Sequence, residues 1–132
     1  MTYPLIEINL QKIKHNAEIV TNACKQKGIE VVGVTKVSGG SIEIAQAMID
    51  AGIKILGDSK IDNLKKYKDL DAKKMLLRLP MISEVKDLIT NAHISLNSEI
   101  KTIKAIAKEC KRLGIVHEII LIYVKGFLMR KK

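Results

Sequence analysis

Residues 30–40 read EVVGVTKVSGG, and this stretch decides how the rest of the chain is understood. Its first part is a near-continuous run of β-branched, apolar residues. That pattern marks a strand covered on both faces, as the strands of a parallel sheet are. The run ends on a cation, Lys36, and then on Ser38, Gly39 and Gly40. In parallel α/β architectures ligands collect at the carboxyl ends of the strands. A lysine at such an end is expected to be partly desolvated, which favours its neutral amine and suits it to Schiff-base formation. The alternative is a lysine that snorkels out to solvent. Gly39 and Gly40 permit backbone angles that let a ligand approach closely.

Working outward, the chain alternates between strand-like and helix-like segments. LIEINL (5–10) reads as a short strand with Ile6 and Ile8 on one face, followed by a helix with a stripe of Ile13, Ala17, Val20 and Cys24 and a stop at Gly28. Past residues 30–37, Ser41 caps a helix bearing Ile42, Ala45, Met48 and Ile49, which ends at Gly52. KILGDS (54–59) is a strand, 60–70 a helix, and KKMLLRLP (73–80) a strand ended by Pro80. Ser83 is expected to cap a helix with Val85, Leu88 and Ile89 facing in, and HISLNS (93–98) to form the next strand. Ser98 is expected to cap a long helix with Ile100, Ile103, Ala107, Cys110 and Leu113 as its stripe and Gly114 as its stop; HEIILIYV (117–124) is the last strand. The strands recur at steps of about 19 to 25 residues with one helix in each step. That is the signature of βαβ units with right-handed crossovers. Two architectures fit: an open, doubly wound five-stranded sheet, or part of a (β/α)8 barrel. Five strands do not close a barrel.

Composition narrows the function classes. The 132 residues hold no tryptophan and one phenylalanine, so the core is aliphatic. The net charge of +9 would suit an anionic partner. The lysines are scattered, however, without an arginine stripe or interleaved aromatics, which argues against nucleic acid. Four positive charges, Lys125, Arg130, Lys131 and Lys132, crowd the end of the chain. Cys24 and Cys110 lack metal-ligand or redox spacing and read as reduced thiols on helix faces, as in a cytoplasmic protein. The opening residues do not read as a signal peptide, and no apolar run approaches the roughly 20 residues that span a bilayer.

Each long strand carries a polar group at its carboxyl end: Lys36, then Asp58 and Ser59, then Arg78, then Asn97 and Ser98, then Tyr123 and Lys125. Helix caps and turn residues explain several of these equally well. The sequence contains no HExxH, GxSxG, P-loop or GxGxxG motif. His93 and His117 fall at strand starts, the end away from such sites, and read as structural.

The segments YPLIEINLQKIKHNAEIV and VVGVTKV resemble the opening of the alanine racemase family of fold-type III enzymes. GVTKV, EIAQAMIDAGIKILGDSKIDNLKK, MLLRLPM and ISLNSEIKTIKAI extend the likeness over about residues 3 to 122, closest to its ornithine racemase-like branch. The resemblance implies a partial (β/α)8 barrel over residues 1–124, about five of eight βα units plus an N-terminal strand and helix, with 125–132 as a basic tail. It implies pyridoxal 5'-phosphate as cofactor and Lys36 as the Schiff-base lysine. By strand-end position, Arg78, Asn97 and Ser98 would line the cofactor face. The substrate would be an amino acid of ornithine or alanine type, without nucleic acid or membrane, and full-length relatives would be homodimers.

The resemblance stops where the family continues with an Asp-x-Gly-x-x-Arg segment; this sequence reads IYVKGFLMRKK. The switch has the look of a frameshift or a truncated reading frame. Three βα units and the β-domain that supplies the family's second catalytic base would be missing, so the chain is expected to be incomplete alone. Two other readings stay open: a carrier of pyridoxal phosphate without racemase activity, and an open α/β interaction domain.

Overall fold

The alternation of apolar runs and amphipathic segments builds one parallel sheet whose strands lie in chain order. The computed structural model describes residues 4–123. The expected boundary at 124/125, Lys125, Gly126 and the basic residues 130–132 lie outside the described residues. The elements are α1 (Leu10–Lys25), β1 (Val32–Val34), α2 (Ile42–Asp50), β2 (Ile55–Asp58), α3 (Ile61–Lys65), β3 (Lys73–Leu76), α4 (Val85–Asn91), β4 (Ile94–Asn97), α5 (Ile100–Leu113) and β5 (Glu118–Leu121).

The sheet order β1-β2-β3-β4-β5, parallel throughout, separates the two architectures left open by the sequence. A doubly wound sheet reverses its order at a switch point. Sequential order with right-handed crossovers keeps every helix on one side, which is the winding of a (β/α)8 barrel. The five strands form an open sector of such a barrel with β1 and β5 at its edges.

Packing shows the same asymmetry. The helix-side core joins Leu56 and Leu76 from the sheet to Ala45, Leu64, Tyr67, Leu88 and Ile106 from the covering segments. The opposite face is a separate apolar layer of Ile55, Met75 and Ile94, with Val32, Leu77 and Leu96 against it and no helix residue. Alternation along each strand separates these sets, as side chains of period two require. Leu56, Leu76 and Leu88 are wholly buried; cutting any of them back to alanine would cost roughly 2–5 kcal/mol. The inner layer is less covered, with Val34 and Ile120 exposed. Among the described residues no helix is long and apolar enough to cross a membrane.

Several local expectations are corrected. LIEINL is not a strand: Leu5 and Ile6 are 89% and 86% exposed, and no strand lies beside them among the described residues. Instead Asn9 accepts a hydrogen bond from Lys12 N at 3.0 Å and starts α1. Asparagine is among the strongest N-caps, and a two-residue alternation cannot hold a strand without a ladder partner. Ser41 caps α2 as expected, accepting from Ile44 N. Ser83 and Ser98 do not cap. Ser83 sits inside a single 3-10 turn (Ile82–Glu84), and the cap position of α5 is Glu99, whose side chain makes no capping bond.

Three helical stripes also depart from expectation. On α5 the buried residues are Thr102, Ile106 and Glu109, while Ile100 and Leu113 are exposed. The helix packs on α4 and turns that flank inward. The apolar residues of its other flank have no neighbouring helix among the described elements. Val20 of α1 and Ile42 of α2 are exposed as well, because α1 lies on α2 rather than on the sheet.

Candidate functional site

The strand of residues 30–37 stops earlier than its composition suggests. Regular β1 pairing ends at Val34, and Lys36–Ser38 form one 3-10 turn. Thr35 N still bonds to Gly57 O at 2.9 Å, so the chain stays in register with β2 up to the residue before Lys36. Lys36 lies just past the carboxyl end of β1, in the 3-10 turn and no longer in the pleat of the strand. It is exposed. The burial expected of it at the strand end is therefore absent.

The turn itself is tightly made. Ser38 N and Gly40 N both donate to Thr35 O, at 3.1 and 3.4 Å, and the Ser38 hydroxyl donates to the same carbonyl at 2.9 Å. Gly39 and Gly40 have φ of +62° and +77°, where L side chains are strained. Lys66 Nζ donates to Gly39 O at 2.9 Å. A Cβ on Gly40 would lie 2.8 Å from Asn63 Cγ, so this glycine is required by contact as well as by angle.

Beneath the turn lies a buried polar cluster. The Thr35 hydroxyl donates to Asp58 Oδ2 at 2.9 Å. Lys60 N and Asn63 Nδ2 donate to Asp58 Oδ1 at 2.9 and 3.1 Å. Asp58 is 0% exposed and Thr35 1%. Tyr67 is also wholly buried; burial pushes its hydroxyl pKa up, and the neighbouring Thr35 draws it part of the way back. Asn63 and Tyr67 were not singled out in the sequence. Part of their signal was there, since Asn63 and Tyr67 are four residues apart, a helical spacing that puts them on one side. Asp58 looked like a turn residue. It does accept from Lys60 N two positions on, as such residues do, but its other oxygen reaches back to the neighbouring strand.

The remaining expected site residues are placed differently. Arg78 follows Leu76 on the helix side. It grips the Glu84 carboxylate with both terminal nitrogens, at 2.8 and 2.7 Å, and donates Nε to Ser59 O at 2.8 Å. The paired guanidinium, with help from Met81 N, holds the Glu84 pKa down at about 2. Arg78 thus braces the loops after β2 and β3. Asn97, 1% exposed, likewise alternates with the inner residues Ile94 and Leu96, and its amide donates to Ser95 O and Oγ. Asn97 and exposed Ser98 share a cleft of about 500 Å³ with Leu79, Pro80, Met81 and Thr102. The structure brings Asn97 and Ser98 together there and keeps Lys36 and Arg78 outside that lining.

His93 and His117 serve the opposite end of the sheet, as expected. His93 Nδ1 accepts from Lys74 N at 3.0 Å. His117 Nδ1 lies 3.2 Å from Ala92 O, an acceptor only, so that nitrogen carries the proton and Nε2 accepts from the Ser95 hydroxyl at 2.8 Å. Burial lowers the pKa of both rings, and Lys74 adds to the effect at His93.

The donor set at Lys36 suits a group attached through an aldehyde. It presents a primary amine in the open, just past the strand end and three residues before Gly39, where nothing lies within 4 Å of an added Cβ. Of the expected companions, Arg78 is committed to Glu84, so it does not offer a free guanidinium to a phosphate.

Comparison with known proteins identifies the family. The chain is 40% identical over 126 residues to an ornithine racemase of Acetoanaerobium sticklandii, covering 96% of this chain and 36% of that protein. It is 38% identical over 117 residues to a lysine racemase of Thermotoga maritima, covering 85% of this chain and 33% of the relative. The chain thus spans about a third of the length of these relatives. Its backbone superposes on the crystal structure of a D-threonine aldolase from Filomicrobium marinum with a TM-score of 0.78 at 14% identity, over 96% of this chain and 36% of the other. The family described as alanine racemase, N-terminal domain, matches residues 8–126, and the chain belongs to that family.

Proposed function

We propose that these residues form the N-terminal part of a pyridoxal-phosphate-dependent amino-acid racemase, with Lys36 as the residue that carries the cofactor. The observation that supports this most is the position of Lys36. It is an exposed amine at the carboxyl end of the first strand of a singly wound parallel sheet, within the matched residues 8–126. When bound, the cofactor supplies an electron sink that acidifies the α-hydrogen of an amino acid. Lys36 would hold it covalently and, once released by the incoming amino acid, take or return a proton at the α-carbon. Gly39 adds no side chain beside that amine. The relatives named ornithine and lysine racemase favour an amino acid with a cationic side chain, within the ornithine or alanine type expected from the sequence.

Racemisation needs an acid–base group on each side of the α-carbon. Tyr123 is 79% exposed at the end of β5 and is not held toward Lys36 by any hydrogen bond in the described residues. That observation favours, as a second reading, a chain that carries the cofactor without racemising alone; assembly with a partner subunit belongs to the first reading. Borohydride reduction of the chain mixed with pyridoxal phosphate, followed by peptide mass mapping, tests the cofactor role. A chiral assay on ornithine, lysine and alanine then separates racemase from carrier. Label on Lys36 with turnover supports the first reading, and label without turnover supports the second. Absence of label on Lys36 removes both.

A further inference from the structure

We propose that Asp58 is the positioning residue for Lys36: a buried carboxylate that locks the turn carrying the lysine onto the following βα unit. The proposal deepens the reading of Lys36 as cofactor carrier and rests on it.

Asp58 closes β2 and is wholly buried. Among the described residues no lysine or arginine pairs with it. A carboxylate in that setting is costly unless hydrogen bonds replace its hydration. Three donors do so: the Thr35 hydroxyl, Lys60 N and the Asn63 amide. Their origins give the arrangement its meaning. Thr35 is the residue directly before Lys36, and Lys60 and Asn63 belong to the next loop and helix. One carboxylate therefore ties the end of β1 to the start of α3.

The far end of the same turn is held by the same helix. The Asn63 side chain, which Asp58 orients, fills the space where a Cβ on Gly40 would lie. Lys66, one turn further along, donates to Gly39 O. The segment from Lys36 to Gly40 is thus gripped at Thr35 by Asp58 and at Gly39–Gly40 by Lys66 and Asn63. Hydrogen bonds to an ionised acceptor are the stronger kind, and they fix direction as well as distance. Asp58 has no exposed surface, so it cannot touch substrate. Its effect on chemistry runs through the placement of Lys36.

The test compares Thr35→Val, Thr35→Ser and Asp58→Asn with the unaltered chain by two readouts. The first is amide hydrogen exchange, which needs no cofactor. The second is borohydride-trapped pyridoxal phosphate on Lys36. Thr35→Val and Asp58→Asn are expected to speed exchange at Ser38 and Gly40 by about tenfold, the size of one lost bond to a charged group, with Leu56 and Leu76 still protected. Label on Lys36 should form more slowly in both. Thr35→Ser keeps the hydroxyl and should restore both readouts. Unchanged exchange in the turn, equal loss of protection across the sheet, or a Thr35→Ser chain that behaves like Thr35→Val would each overturn the proposal. Exchange as expected with no label on Lys36 in the unaltered chain supports the hold on the turn and instead refutes Lys36 as carrier.

Discussion

The Thr35 hydroxyl donates to Asp58 at 2.9 Å across neighbouring strands, one residue before the lysine at the centre of the candidate site. Strand register brings the two together: Val34 pairs with Gly57, and Thr35 N continues the ladder to Gly57 O. Both side chains lie on the helix side of the sheet, opposite the layer of Val32 and Ile55.

The two glycines after Lys36 are predicted to differ. Gly39 has a positive φ but nothing within 4 Å of an added methyl group, whereas Gly40 has a positive φ and meets Asn63 at 2.8 Å. Gly39→Ala should cost about 1–2 kcal/mol from the left-handed backbone alone. Gly40→Ala should cost more, and should also slow cofactor attachment because Asn63 must move. Urea denaturation of both variants, with trapping on Lys36, checks this.

Arg78 is predicted to matter for stability and not for the cofactor. Its forked bond to Glu84 and its bond to Ser59 O brace two loops. Arg78→Ala should lower stability by roughly 1 kcal/mol, since the pair is partly screened by solvent, while label on Lys36 forms at the unaltered rate. The Glu84 pKa near 2 has a further consequence. A depressed carboxylate pKa contributes stability above the unfolded value and loses it as pH falls toward the folded one. The stabilities of Arg78→Ala and the unaltered chain should therefore begin to approach each other below about pH 4 and meet near the folded Glu84 pKa of about 2.

His117 gives the opposite end of the sheet a pH dependence nearer neutrality. Its folded pKa is lowered by burial, so below about 6.5 the unfolded chain binds a proton that the folded chain does not. Stability should fall as pH drops through that range. His93 acts in the same direction. Denaturation midpoints at pH 5 and pH 7.5 measure the loss, and His117→Gln, which keeps polar groups near Ser95 and Ala92, should reduce the difference.

The exposed inner face and β5 predict association of the isolated chain. Val34, Ile120, Leu121 and Ile122 are 41–63% exposed along open strands and their ends. Unpaired edges with apolar side chains template pairing with other chains. Size-exclusion chromatography should show concentration-dependent oligomers, and Leu121→Lys should shift them toward monomer. A monomer at all concentrations would refute this.

The parallel strand–helix alternation was legible because its cause is periodic, with apolar β-branched runs, amphipathic segments and glycine stops recurring in turn; the choice of a barrel sector over a doubly wound sheet came from the family resemblance and from the strand order. Lys36 stood out because a cation interrupts such a run. The supports of Lys36 were not legible. Asp58, Asn63 and Tyr67 become one cluster only when β1 and β2 pair and α3 folds back, and each looks ordinary in its own segment. Arg78 and Asn97 were misplaced for a related reason. Position at a strand end does not say which face a side chain takes, and both fall on the helix side by alternation. The LIEINL segment carries strand-like alternation, but pairing decides whether a strand forms, and Asn9 turns the chain into α1 instead.

Covalent capture of pyridoxal phosphate on Lys36 tests the central claim most directly. Borohydride reduction followed by peptide mapping is predicted to place a single stoichiometric label on Lys36 and none in Lys36→Ala. Label spread over the other lysines, or retained at the same level in Lys36→Ala, would contradict it.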